Sequence, residues 1–213
     1  MAGATGLVGR EVLAALLTDR HYSAVHSIGR REVAVQHPKL VQHVQDLSVP
    51  VAPSALGSVD DVFICLGTTI KAAGSREAFR AIDFHAVVAL ARAAKAMGAS
   101  KLAVVSAMGA DADSRVFYNR VKGEMELALR ALEYPALVIA RPSLLAGDRQ
   151  ALAQASRPGE VVGSMLMALF KPLLPADWQM IAASQVARAM LNAVQNTEHG
   201  TRILRSGELQ RPV

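Results

Sequence analysis

Short apolar runs alternate with longer stretches of helical period along most of this chain, and that alternation constrains the fold more than any other feature. The runs are Ala24–Gly29, Leu40–Val44, Asp61–Gly67, Lys101–Ser106, Ala136–Ala140 and Gly200–Leu204. Between them lie helical patterns after Gly9 to about Thr18, over Arg76–Met97, over Val116–Leu132 and over Val161–Phe170. A last helix runs from Gln185 to Val194, with Ser184 as its expected cap. The middle of Asp61–Gly67 has no polar residue, as expected of a strand buried on both faces. Strands that alternate with helices form parallel sheets with crossovers packed on both sides. The predicted fold class is therefore α/β, a doubly wound parallel sheet.

The first helical pattern opens from Gly3-Ala4-Thr5-Gly6-Leu7-Val8-Gly9. Glycine at every third position allows a tight turn and a close backbone approach to a ligand. A helix that starts there offers unpaired N–H groups and the positive end of its dipole, which suits a pyrophosphate. A phosphate loop of this kind follows a strand, yet only Met1-Ala2 precede Gly3. Two readings are open: a first strand cut short, or a glycine turn with no nucleotide. The complete rhythm downstream favours the first.

The 213 residues suffice for one domain, 1–213, with 144–180 as a small substrate-side lobe where the rhythm loosens. Apolar residues make up 52% and charged residues 19%, a composition that buries a sizeable core. Cys65 is the single cysteine, so no intramolecular disulfide forms; it reads as core rather than nucleophile. With no leader of the secretory type, a reducing cytoplasm is the expected compartment. No apolar run approaches the length needed to span a bilayer. The six histidines make no ligand pattern, and no metal site is expected. The net charge of +5 is scattered and lacks aromatic interleaving, which argues against nucleic acid. Met165-Leu166-Met167 reads as packing rather than pocket lining.

Tyr118 and Lys122 lie four residues apart in a predicted helix and so share a face. An ammonium near a phenol favours the phenolate, which suits general acid/base work. Ser106 ends its strand at the sheet edge where open α/β folds bind ligands, and its hydroxyl can hold a substrate oxygen. About twenty residues past the loop, a carboxylate selects NAD and an arginine accommodates the 2′-phosphate of NADP. Here that place holds Arg30 and Arg31, so NADP(H) is expected over NAD.

A glycine loop, a serine at a later strand end and Tyr-x-x-x-Lys in the next helix resemble the short-chain dehydrogenase/reductase superfamily. The resemblance is to its atypical branch, which is related to nucleotide-sugar epimerases, and within it to the group around TIP30 (also called CC3). It rests on residues 3–9, Phe-Ile-Cys-Leu-Gly-Thr-Thr at 63–69, Phe-Tyr-Asn-Arg-Val-Lys-Gly-Glu at 117–124, residues 141–149 and Arg-Pro-Gly-Glu at 157–160. It implies an NAD(P)-binding Rossmann-type fold. Tyr118 would be the proton donor or acceptor, Lys122 would bind the nicotinamide ribose, and Ser106 would orient the substrate. Gly3, Thr5, Gly6, Leu7, Val8 and Gly9 would line the pyrophosphate. Asp46 and Leu47 would meet the adenine, and Gly67 would pass beneath the cofactor. The asparagine that some relatives use has no clear counterpart; Asp83 lies in that region, and a full proton relay is not implied.

The leading expectation is an NADP(H)-dependent oxidoreductase acting on a small carbonyl or alcohol. The alternative is an NADPH-binding regulatory or interaction protein; a nucleotide-sugar epimerase is less favoured because the lobe is short. The Ala-rich helices are compatible with a homodimer.

Overall fold

A computed structural model describes residues 1–47, 57–146 and 176–211. The elements are α1 (Leu7–Thr18), β1 (Val25–Gly29), β2 (Leu40–Val44), β3 (Asp61–Ile64), α2 (Ile70–Ala73) and α3 (Arg76–Arg80). A π-helical segment, Ala81–Ala86, joins α3 to α4 (Val87–Ala96). Then come β4 (Lys101–Val105), α5 (Phe117–Arg130), β5 (Ala136–Arg141) and a two-residue pair, β6 (Leu145–Ala146) with β7 (Ile181–Ala182). The described chain closes with α6 (Ala183–Asn196), β8 (Gly200–Arg205) and α7 (Ser206–Leu209).

All strand pairs are parallel: β1 with β2, and β3-β4-β5-β8 in that order. Ala2 joins the two groups, since it bridges Ile28 on one side and Ile64 on the other. Its amide donates to Phe63 O at 2.9 Å, and its carbonyl accepts from Cys65 N at 2.9 Å. Met1 O accepts from Ile28 N at 2.9 Å. The two residues before the glycine loop thus hold the central position of the sheet. Below Met1, between the N-terminal halves of β1 and β3, lies a cavity of about 180 Å³ walled by Leu16 and Met97.

Strand side chains alternate between two cores, as the pleat requires. Phe63, Ala103, Val138 and Ala140 pack under α1 and α6 with Val12, Leu16, Val186 and Met190. Ile64, Leu102, Val104, Leu137 and Ile139 pack under α4 and α5 with Val87, Ala91, Met125 and Leu129. Both faces are covered, which is why the strands read as unbroken apolar runs.

The predicted strand and helix positions agree with the structure to within a few residues, with two differences. The long helix expected over Arg76–Met97 contains the π-helical turn. Ser184 does not cap the helix it was expected to precede; it sits inside the first turn of α6, and the Gln185 side chain accepts from Ala182 N at 3.1 Å instead. The helix expected over Val161–Phe170 and most of the 144–180 lobe lie outside the described residues. Among the described residues, no helix is long and apolar enough to cross a membrane.

Candidate active site at the C-terminal edge of the sheet

The predicted site residues come from separate elements, and the parallel topology brings them to one edge. Gly3–Gly6 follow the central position, Arg30 and Arg31 follow β1, and Asp46 and Leu47 follow β2. Gly67 follows β3 and Ser106 follows β4. This carboxyl edge is where open α/β sheets take ligands. The 180 Å³ cavity lies at the opposite edge and contributes nothing to the site.

The loop at Gly3–Gly9 has the build of an anion cradle. Gly3 has φ +87°, and a Cβ there would lie 2.5 Å from Cys65 O. A Cβ on Gly9 would lie 1.9 Å from Gly3 O. Only glycine allows α1 to start this close to the preceding turn. Gly6 caps α1 with no side chain, so no side-chain acceptor competes for the first-turn N–H groups of Leu7, Val8 and Gly9. Leu7, Val8 and Gly9 are themselves buried, and Thr5 is exposed beside them. Arg30 and Arg31 are both exposed, one and two residues beyond Gly29.

Helix α5 carries Tyr118, Lys122 and Glu126 at successive turns of one face. Tyr118 is half-buried, with its ring 5.4 Å from that of the fully buried Phe79. Among the described residues no hydrogen bond engages its hydroxyl. Lys122 is 2% exposed, and its ammonium lies 2.8 Å from Asp83 Oδ1, off the line of a hydrogen bond. The other Asp83 oxygen accepts from Thr68 N at 3.0 Å. A Cβ on Gly67 would stand 3.7 Å from Asp83 Oδ1 and 3.9 Å from Lys122 Nζ. Gly67 is exposed, so the ion pair lies just beneath the floor of the cleft.

Ser106 is placed differently from Tyr118 and Lys122. It is 4% exposed, and its hydroxyl donates to Glu126 Oε1 at 2.5 Å. Arg141 donates to the same carboxylate through Nε at 2.9 Å and a terminal nitrogen at 2.6 Å. The hydrogen bonds that Arg141 donates to Glu126 raise the Arg141 pKa further. The only proton of the Ser106 hydroxyl is therefore spent on a carboxylate two turns of α5 beyond Tyr118.

Asp83, Glu126 and Arg141 were not among the expected site residues. A signal for Asp83 exists in the sequence: one carboxylate amid Ala81, Ile82 and Phe84 on an otherwise apolar stretch needs a buried partner. Gly123 was missed as well. A Cβ there would lie 2.2 Å from Ala112 N, so this glycine lets the loop after Ser106 cross directly over α5. Among the described residues, no cluster of three or more His, Cys, Asp or Glu can hold a metal ion.

Comparison with known proteins agrees with the fold. Residues 3–197 match the model of a family described as NAD(P)H-binding. The chain is 35% identical over 150 residues to "Protein FMP52, mitochondrial" of Eremothecium gossypii, covering 70% of this chain and 67% of that one. It is 35% identical over 198 residues to Protein HTATIP2 of Rattus norvegicus, covering 89% and 78%. The solved structure of MoeE5 in complex with UDP-glucose and NAD superposes with a TM-score of 0.70 at 17% identity, covering 95% and 73%. The sequence relatives are of the expected TIP30-like kind, and the structural likeness agrees with the expected fold. The expectation of a cytoplasmic protein is overturned, because the FMP52 relatives are named mitochondrial. A lone cysteine excludes an internal disulfide but does not distinguish one compartment from another.

Proposed function

This chain belongs to the NAD(P)H-binding family, and we propose that it is an NADP(H)-dependent oxidoreductase interconverting a small carbonyl compound and its alcohol. The observation that carries the reading is the juxtaposition on α5. The buried Lys122 ammonium lies under Gly67, one helical turn from a tyrosine whose hydroxyl has no hydrogen bond among the described residues. The cofactor fits the residues present: a glycine cradle with uncapped helix amides for the pyrophosphate, exposed Arg30 and Arg31 for a 2′-phosphate, and an exposed glycine at the floor. When bound, it supplies or accepts the hydride. Asp46 and Leu47 flank the adenine end, Lys122 holds the ribose, and Tyr118 gives or takes the proton at the substrate oxygen.

Tyr118→Phe removes that proton and leaves the ring packing on Phe79. Turnover of any carbonyl substrate found by screening with NADPH falls by about 10²–10⁴-fold, with NADPH affinity unchanged. Turnover equal to that of the unaltered chain refutes the assignment. NADPH binds more tightly than NADH, and equal affinities refute the role of Arg30 and Arg31.

A second reading is a regulator whose partner binding follows NADPH occupancy. The commitment of the Ser106 hydroxyl to Glu126 favours it, since the site then lacks a serine proton to donate to a substrate carbonyl. Failure to turn over any carbonyl or alcohol in such a screen, with NADPH binding intact, supports it.

A further inference from the structure

A helix that follows a strand of a parallel sheet starts at the carboxyl edge, so the first turns of α3 and α5 form a rim beside the candidate site. An aromatic cluster joins the two helices there. The ring of buried Phe79 lies 5.9 Å from that of Phe117 and 5.4 Å from that of Tyr118. Two arginines stand over Phe117: the guanidinium carbon of Arg76 is 5.2 Å from the ring centre and that of Arg120 is 5.7 Å. The ring attracts each cation, but two like charges drawn to one ring repel each other. Among the described residues, no carboxylate forms an ion pair with either. Arg80, one turn beyond Arg76, is different, because Glu124 pairs with it. Glu77 follows Arg76 in the chain, yet its exposed carboxylate bonds at Ser75 and not at the guanidinium. Arg120 spends one terminal nitrogen on Ser114 O at 2.9 Å and keeps the rest of its donors.

We propose that Arg76 and Arg120 form an oxyanion subsite on this rim, so that the carbonyl substrate carries a carboxylate or a phosphate. Phe117 holds the two guanidiniums in place, and Tyr118, the next residue, meets the reacting carbonyl. The inference rests on the oxidoreductase reading above and names its substrate class. A guanidinium presents paired N–H donors in the spacing of two carboxylate or phosphate oxygens. An arginine already stacked on a ring loses less side-chain freedom when the anion arrives. The anion also removes the repulsion between the two cations, whereas a neutral carbonyl compound gains nothing from either.

The test is calorimetric binding of matched probes to the full chain with excess oxidised NADP, which bars reduction of the aldehyde. The probes are para-formylbenzoate, adipate semialdehyde and para-formylphenyl phosphate, each beside its neutral methyl ester. At least one acid binds about tenfold more tightly than its ester. Arg76→Gln or Arg120→Gln lowers that ratio to about threefold and the double variant abolishes it, while ester affinity stays within about twofold. Arg80→Gln, with its charge already met by Glu124, leaves the ratio unchanged. The proposal is overturned if no acid in the set binds better than its ester. It is equally overturned if the preference survives in the correctly folded double variant, since it then belongs to the net positive charge of the whole chain. In turnover with NADPH, the double variant raises KM for the acid about tenfold at unchanged kcat, whereas Tyr118→Phe lowers kcat. An acid preference that needs both arginines, in a chain that reduces none of these probes, overturns the assignment to a substrate and the oxidoreductase reading together, and leaves an anion site.

Discussion

At the scale of single residues, three glycines and one cysteine show how little space the site leaves. Gly9 abuts Gly3 so closely that an added Cβ would overlap a backbone oxygen, which cannot swing away as a side-chain end can. Gly9→Ala should cost about 3 kcal/mol in a urea denaturation series and abolish NADPH binding, because α1 must retreat from the loop. Gly123 plays the same part for the loop after Ser106. Cys65 sits beside the loop, and burial pushes its thiol up to about 12. At pH 8 the reactive thiolate is then roughly a thousandfold scarcer than in an unfolded chain. Iodoacetamide should label the native protein far more slowly at pH 8 than the chain in denaturant; rapid native labelling would contradict the raised thiol pKa of this partly buried cysteine.

At the scale of elements, α5 joins chemistry to scaffold. One face carries Tyr118, Lys122 and Glu126, and the last two are neutralised by Asp83 and Arg141. Glu126 fastens α5 to the ends of β4 and β5 at once, through Ser106 and Arg141. Glu126→Ala leaves Arg141 without its partner and the buried Ser106 hydroxyl without an acceptor. The expected loss is about 3–5 kcal/mol, read as a lower urea midpoint at unchanged m-value. Glu126→Gln keeps acceptor capacity and should lose less. A loss under 1 kcal/mol for Glu126→Ala would mean the pair is solvated and the element is held elsewhere.

At the scale of the whole molecule, the cofactor cradle draws on almost every crossover of a doubly wound sheet. Residues after the central position and after β1, β2 and β3 all face one edge. A ligand that spans this edge binds the folded chain only, so it stabilises by mass action. NADPH at a hundred times its Kd should add about 2.7 kcal/mol, a rise of roughly 5–10 °C in Tm for a domain of this size. The same concentration relative to Kd of AMP, which reaches only the adenine end, checks the linkage and should give an equal shift. No shift with NADPH would remove the cofactor from the account.

Periodicity and composition decide a great deal here without any structure. Unbroken apolar runs between helical stretches imply a parallel sheet covered on both faces, because only two-sided burial removes the polar half of a strand. Glycines spaced at three ahead of a helix imply an uncapped helix end, since nothing but hydrogen at those positions permits the approach. Tyr118 and Lys122 share a face by helix geometry alone. Three things came only with tertiary structure. Met1-Ala2 complete the centre of the sheet by bridging strands from two distant parts of the chain. The π-helical turn that carries Asp83 falls within an ordinary helical period, and the lysine it meets lies in another helix. The Ser106 hydroxyl turns to Glu126, a choice between a substrate and a buried carboxylate that residue type does not dictate. Local spacing sets what each segment becomes, whereas the pairing of buried charges depends on which segments the sheet brings together.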